Sequence, residues 1–229
     1  MSHEEYYRTR YWETNDGWSP AKVAQADPRL EKLFKEYIRI TDHLLDVGCG
    51  DGGHYGGLVR SQVTQHYGID LSLAALSRAR EYGIATSQAS ADRALPFVNG
   101  SIDAAICIEV LEHLFDPAAL IQEIGRVLKP NGRLIASVPN IAHFSHRLRL
   151  LGGKFVAGGC PPTADRPWMD PHIRFFTRRS FSDMLQSMGF RLVAVIGMNT
   201  GTLTDFPILS VFLRLLLGDR RLQRASNAL

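Results

Sequence analysis

The chain has 229 residues, 45% hydrophobic and 21% charged, with a formal net charge of +3. That length suits one domain with a sizeable core, and the composition excludes wholesale disorder and a multi-span membrane protein. The small charge gives no argument for nucleic acid, and Cys49, Cys107 and Cys160 are too far apart for a disulfide framework or a zinc site.

The first segment, MSHEEYYRTRYWE, is polar and aromatic, lacks the apolar stretch of a signal peptide, and reads as a cap packed on the body. Asp27-Pro28 predicts a helix start, with Leu30, Leu33, Phe34, Tyr37 and Ile38 on one face. Strands are expected at His43–Val47, Gln65–Ile69, Ile102–Ile108, Arg133–Val138 and Phe190–Ile196, and a weaker one near Ile84–Ser87. Helices are expected from Ser72 to about Tyr82, after Asp116-Pro117, and after Thr177 with a stop at Gly189; Lys129-Pro130-Asn131-Gly132 reads as a turn. This alternation predicts an α/β, doubly wound, mostly parallel sheet with helices on both faces, whose ligands bind beyond the carboxyl ends of the strands. Ile141 to Pro171 reads as an irregular insertion after the fifth strand. Pro207–Gly218, PILSVFLRLLLG, is apolar on nearly every side and too short to span a bilayer, so it is expected to be a buried or dimer-interface helix, with no clean seventh strand. No apolar run reaches the roughly 18 residues of a membrane span, and the expected location is the cytoplasm.

The sharpest motif is LLDVGCGDGG, Leu44 to Gly53, at the end of the first strand. Alternating Gly48, Gly50 and Gly52 allow positive φ and close approach of a ligand to the backbone. Asp46 and Asp51 make this loop unsuited to a phosphate and compatible with a cationic ligand. Asp70, in YGIDLS at the tip of the second strand, stands where a carboxylate can accept both hydroxyl protons of a ribose.

From these motifs, together with ALPFVNGSIDAAIC, EVLEHL, EIGRVLKPNGRLIASVPN and HIRFFTRRSFSDMLQSMGF, the chain resembles the Rossmann-like S-adenosylmethionine-dependent methyltransferases over roughly Leu44 to Ile196. The resemblance implies S-adenosylmethionine as cofactor and S-adenosylhomocysteine as product. It implies that Asp46, Gly48, Cys49, Gly50 and Gly52 hold the methionine portion and ribose, and Asp70 the ribose hydroxyls. Leu71 would pack on the adenine, Asp92 or Ala91 would meet its amino group, and Glu109 would border the pocket. One domain, 1–229, is then divided into a cap (1–40), a cofactor-binding core (41–140), an acceptor-side insertion (141–176) and a C-terminal helix, strand and apolar tail (177–229).

Methyl transfer needs alignment and, for a hydroxyl acceptor, a base. Glu109, Glu112 and His113 in EVLEH have the spacing of one helical face, and His172 precedes the Thr177 helix. This pattern is similar to the small-RNA terminal ribose methyltransferases, in which such residues hold a divalent ion, so Glu109, Glu112, His113 and His172 form a candidate metal set that would suit Mn²⁺ better than Mg²⁺. His113 or His172 acting as a metal-free base is the competing reading, and His143 or His146, after the fifth strand, could serve instead. Arg147, Arg149, Arg166, Arg174, Arg178 and Arg179 suit either a phosphorylated acceptor or a solvated basic face, and Tyr11 and Trp12 are expected near the acceptor. The likeness of PNIAHFSHRLRLLGGKF to bacterial polysaccharide and natural-product methyltransferases favours O-methylation of a sugar, glycan precursor or small hydroxylated metabolite. N-methylation, RNA ribose methylation and a non-catalytic role like that of the partner protein MetW stay open as alternatives. Nucleic acid is the less favoured partner, and the apolar C-terminal segment leaves room for a homodimer.

Overall fold

The computed structural model describes residues 3–10, 28–53, 59, 62–154, 170–198 and 210–216. A short helix, His3–Glu5, runs into a wider helical turn, Tyr6–Arg10. Helix α1 is Pro28–Tyr37, followed by strand β1, His43–Val47, and strand β2, Gln65–Asp70. Helix α2, Leu73–Glu81, is capped by Ser72, whose hydroxyl accepts from the Ala75 N–H. Strands β3, Ala85–Gln88, and β4, Ile102–Ile108, lead to a single 3₁₀ turn, Leu111–His113. Helix α3, Pro117–Val127, starts on an Asp116 cap and feeds β5, Leu128–Val138. Helices α4, Phe144–Leu151, and α5, Arg178–Ser187, precede β6, Arg191–Met198, and β7, Ser210–Leu216.

The strands form one sheet in the order β3-β2-β1-β4-β5-β7-β6, parallel from β3 through β5 and antiparallel at β7 and β6. Successive strand residues point to opposite faces, and both faces are apolar here. Leu45, Ala105, Cys107 and Leu134 pack with Ile121 and Ile124 of α3 and with Phe181 and Leu185 of α5. Leu44, Ala104, Ile106 and Ile135 pack with Leu30, Leu33 and Phe34 of α1. Helices therefore cover both sides, as the unbroken apolar strands require.

The turn expected at Lys129–Gly132 is absorbed into β5. Asn131 does adopt a positive φ of 65°, but the segment forms a bulge, with Ile102 pairing Leu128 and Ala104 pairing Arg133. The insertion is less irregular than expected, since Phe144–Leu151 is helical.

Within the apolar C-terminal segment, the described residues form a strand and not the expected helix. Ser210–Leu216 is β7, inserted between β5 and β6 and paired antiparallel with both. An all-round apolar run suits a strand flanked on both edges as well as a buried helix, and at seven residues its length favours the strand. Without it, the residues Arg133–Val138 would leave a row of edge N–H and C=O groups unpaired.

Thr177 caps α5 through a reciprocal box, accepting from the Ser180 N–H while the Ser180 hydroxyl accepts from the Thr177 N–H. Thr177→Ala is expected to cost about 1 kcal/mol, lowering Tm by about 2–4 °C for a chain of this size, as thermal unfolding would report.

Candidate active site

Strand order reverses between β1 and β4: the chain leaves β1 toward β2 and β3, then returns to the other side for β4 and β5. The crevice beyond the carboxyl ends of β1 and β4 is therefore where a ligand is expected. The glycine loop lies at one side of it and Glu109 at the other.

Gly48, Gly50 and Gly52 all have positive φ, 73°, 55° and 72°. The loop is tied to β2 by the Gly48 and Cys49 N–H groups, which both donate to the Ile69 carbonyl. It is also close-packed: a Cβ on Gly48 would clash with Val110 Cγ2, and one on Gly52 would lie 2.8 Å from Ile84 Cδ1. Asp70 closes the loop from the neighbouring strand, one carboxylate oxygen accepting from the Gly50 N–H at 3.0 Å and the other from the Ser72 N–H at 2.9 Å. Burial raises the Asp70 carboxyl above its ordinary value, opposed by the Ser72 and Gly50 N–H groups and reinforced by Asp46. The Cys49 thiol is pushed far up by burial and by Asp46 and Asp70, so it stays protonated and is no nucleophile. Leu71 is half-buried, Ala91 is half-buried against the core, and Asp92 is exposed.

Across the crevice, Glu109 takes a positive φ of 55°, uncommon for a residue with a side chain. It is therefore not on the helical turn that its spacing to Glu112 and His113 suggested; the turn begins at Leu111. Its carboxylate accepts from the Ser137 hydroxyl of β5 at 2.6 Å. Glu112 is 1% exposed, and neither carboxyl oxygen has a hydrogen-bond partner. Burial, then the nearby Glu109, push its carboxyl well above the usual range.

Two imidazoles converge on this carboxyl. His113 Nε2 is 3.8 Å and His172 Nε2 3.7 Å from Glu112 Oε1, and the two rings stack with centroids 4.6 Å apart. The backbone enforces the meeting: the Ile173 and Arg174 N–H groups both donate to the Glu112 carbonyl, and Phe176 bridges Asn140 beyond the end of β5. Asp170 lies 2.6 Å from His172 Nδ1. Burial lowers the His172 pKa, with Asp170 acting against it. Ligand atoms of Glu112, His113 and His172 lie within 4.8 Å of one another, whereas Glu109 is turned to Ser137 and falls outside this group.

His143 is buried after β5, with its ring edge-on to His146 rather than stacked in the His113–His172 pair; burial, then His143, lowers the His146 pKa. Tyr11, Trp12 and Arg166 lie outside the described residues. Sequence reasoning missed three contributors. Tyr7 hydrogen-bonds His113 Nδ1 at 2.6 Å from 106 positions away, a contact that leaves no signal in spacing. Ser137 sits inside an apolar strand, where a lone hydroxyl was a usable clue, and Asp170 two residues before His172 was another.

Residues 19–195 match the family model of a methyltransferase domain. The chain belongs to that family. A ubiquinone biosynthesis O-methyltransferase from Xanthomonas oryzae pv. oryzae (strain PXO99A) is 33% identical over 157 residues, covering 65% of this chain and 64% of that protein. A protein of the same name from Xanthomonas axonopodis pv. citri (strain 306) is 30% identical over 199 residues, 82% of this chain and 79% of the relative. Among solved structures, a SAM-dependent methyltransferase from Thermotoga maritima superposes with a TM-score of 0.64 at 18% identity, covering 93% of this chain and 97% of the other. That likeness is one of fold, and the methyltransferase domain accounts for the sheet order and for the crevice at its reversal point.

Proposed function

We propose that this methyltransferase-domain protein is an S-adenosylmethionine-dependent O-methyltransferase acting on a small hydroxylated metabolite. The observation that carries the reading is the stacked His113–His172 pair on the buried Glu112, set across one crevice from an acidic glycine loop. A base cluster opposite a cation-tolerant loop is what methylation of a hydroxyl requires. The O-methyltransferase names of the Xanthomonas relatives support oxygen as the acceptor atom.

The residues fit the cofactor. Asp70 receives one backbone N–H on each oxygen, leaving lone pairs for two ribose hydroxyls. Asp46 and the bare backbone of Gly48, Gly50 and Gly52 suit the cationic methionine end. When bound, S-adenosylmethionine supplies a methyl group already activated on a sulfonium. The chain then has to align the acceptor and take its proton. His172 is assigned as base: burial keeps it neutral near pH 7, and Asp170 beside Nδ1 holds a proton there, leaving Nε2 to accept. Tyr7 orients His113, and the Glu112 carboxyl, kept protonated by burial and by Glu109, lies within 4 Å of both imidazoles.

A second reading has its own support. Glu112, His113 and His172 converge within 4.8 Å, and both Glu112 oxygens lack hydrogen-bond partners, which suits a divalent cation such as Mn²⁺. A cation there would supply a lowered hydroxyl pKa.

Incubation with methyl-labelled S-adenosylmethionine and a panel of phenolic and sugar hydroxyl acceptors tests both. Label is expected in a base-stable ether. Loss of transfer with chelator and recovery with Mn²⁺ selects the cation reading, and indifference to chelator selects the histidine base. Absence of both cofactor binding and transfer overturns the proposal.

A further inference from the structure

His66 of β2 is placed where an apolar residue would pack at lower cost. It pairs in register with Leu44 of β1, its side chain is 3% exposed, and neither ring nitrogen has a hydrogen-bond partner. Leu44 belongs to the core cluster built on Leu30, Phe34 and Ile106, so the imidazole sits beside an apolar layer. A buried polar ring without hydrogen bonds is destabilising, and native interiors contain few of them.

The group it faces is Asp46, whose Oδ2 lies 3.6 Å from His66 Nε2. Asp46 precedes Gly48 by two residues, and its pairing with Gly68 puts it one step along the same strand face from the Leu44–His66 pair. Its carboxylate is itself buried, 8% exposed, and the His66 imidazole lies within 4 Å of it. We infer that His66 is a positioning residue for the cofactor loop: it holds the Asp46 carboxylate in the orientation that receives the cationic methionine end of S-adenosylmethionine. The inference rests on the cofactor reading above. At 3.6 Å the pair is longer than a hydrogen bond, so the inferred role needs a shift of a few tenths of an ångström to bring Nε2 within reach of Oδ2. The stability given up by burying an orphan imidazole then returns as cofactor affinity, in keeping with groups that are locally unfavourable at binding sites.

Two variants separate this role from a packing role. His66→Leu removes the donor and fills the site with apolar atoms, and His66→Gln keeps an N–H near the position of Nε2. His66→Leu is expected to weaken S-adenosylmethionine binding about tenfold in calorimetry, to raise KM for the cofactor more than it lowers kcat, and to leave the ligand-free Tm equal or higher. His66→Gln is expected to recover most of the affinity. Wild-type affinity in His66→Leu overturns the inference, as does a parallel fall of Tm and affinity that Gln does not rescue. Failure of the wild-type chain to bind S-adenosylmethionine overturns the cofactor reading itself, and this inference with it.

Discussion

Asp70→Ala is expected to lower affinity for S-adenosylmethionine by about 10²- to 10⁴-fold. Two charge-assisted hydrogen bonds to ribose hydroxyls, each contributing about 1.5–3 kcal/mol, set that range. The carboxylate also organises the protein: it joins the Gly50 N–H of the glycine loop to the Ser72 N–H at the start of α2. Removing it leaves both donors without an acceptor and frees the loop from β2. Asp70→Asn separates the two effects, because it keeps one acceptor oxygen and loses the charge. Its affinity should lie between those of wild type and Ala. Calorimetric titration reads the series, and unchanged affinity in Asp70→Ala would remove the second strand tip from the cofactor site.

The second large effect is at Glu112. Glu112→Gln keeps the shape of a neutral carboxyl but removes an anionic ligand. It should leave turnover little changed where His172 alone is the base, and lower it by about 10²-fold where Glu112, His113 and His172 hold a cation. Cofactor affinity should be little changed in either case. On stability the substitution acts through pH. Burial and the neighbouring Glu109 raise the folded-state pKa of Glu112 well above its ordinary value. The folded protein therefore holds a proton that the unfolded chain releases once pH exceeds about 4.3, the unperturbed value for glutamate. Across that window the folded state binds more protons, so wild-type stability falls as pH rises. Glutamine does not titrate, and the variant should gain Tm over wild type as pH climbs from about 4 toward neutrality, measured with chelator present. A Tm difference constant across pH would show that Glu112 is not held protonated by its surroundings.

Much of the glycine-loop side of the crevice was legible in the sequence, because its signals are local. Gly48, Gly50 and Gly52 are needed where the backbone turns with positive φ against Val110 and Ile84, and that demand falls on the residues themselves. Asp116-Pro117 and Thr177 mark helix starts through caps that reach only three residues ahead. The strand Ile102–Ile108 was read at its observed limits, since a strand buried on both faces is a continuous apolar run.

The opposite side of the crevice was only half legible. EVLEH identified Glu112 and His113, but periodicity put Glu109 on their helical turn, whereas its left-handed backbone turns the side chain to Ser137. Pairing His172 with His113 depends on two backbone bonds to the Glu112 carbonyl across about sixty residues, and Tyr7 arrives from the other end of the chain. The C-terminal run illustrates the same limit. In SVFLRLL the two polar residues, Ser210 and Arg214, are four apart, a spacing that falls on one face of either a helix or a strand, and only the free edges of β5 and β6 decide that it becomes a strand.

By itself, then, the sequence determined the alternating α/β pattern, the helix caps, the glycine loop and the acid at the tip of β2, all of them set by backbone conformation within a few residues. The tertiary structure alone decided the place of β7, the turning away of Glu109 and the stacking of His172 on His113 under Tyr7. Those features depend on which distant edges and side chains meet, and no local propensity encodes that.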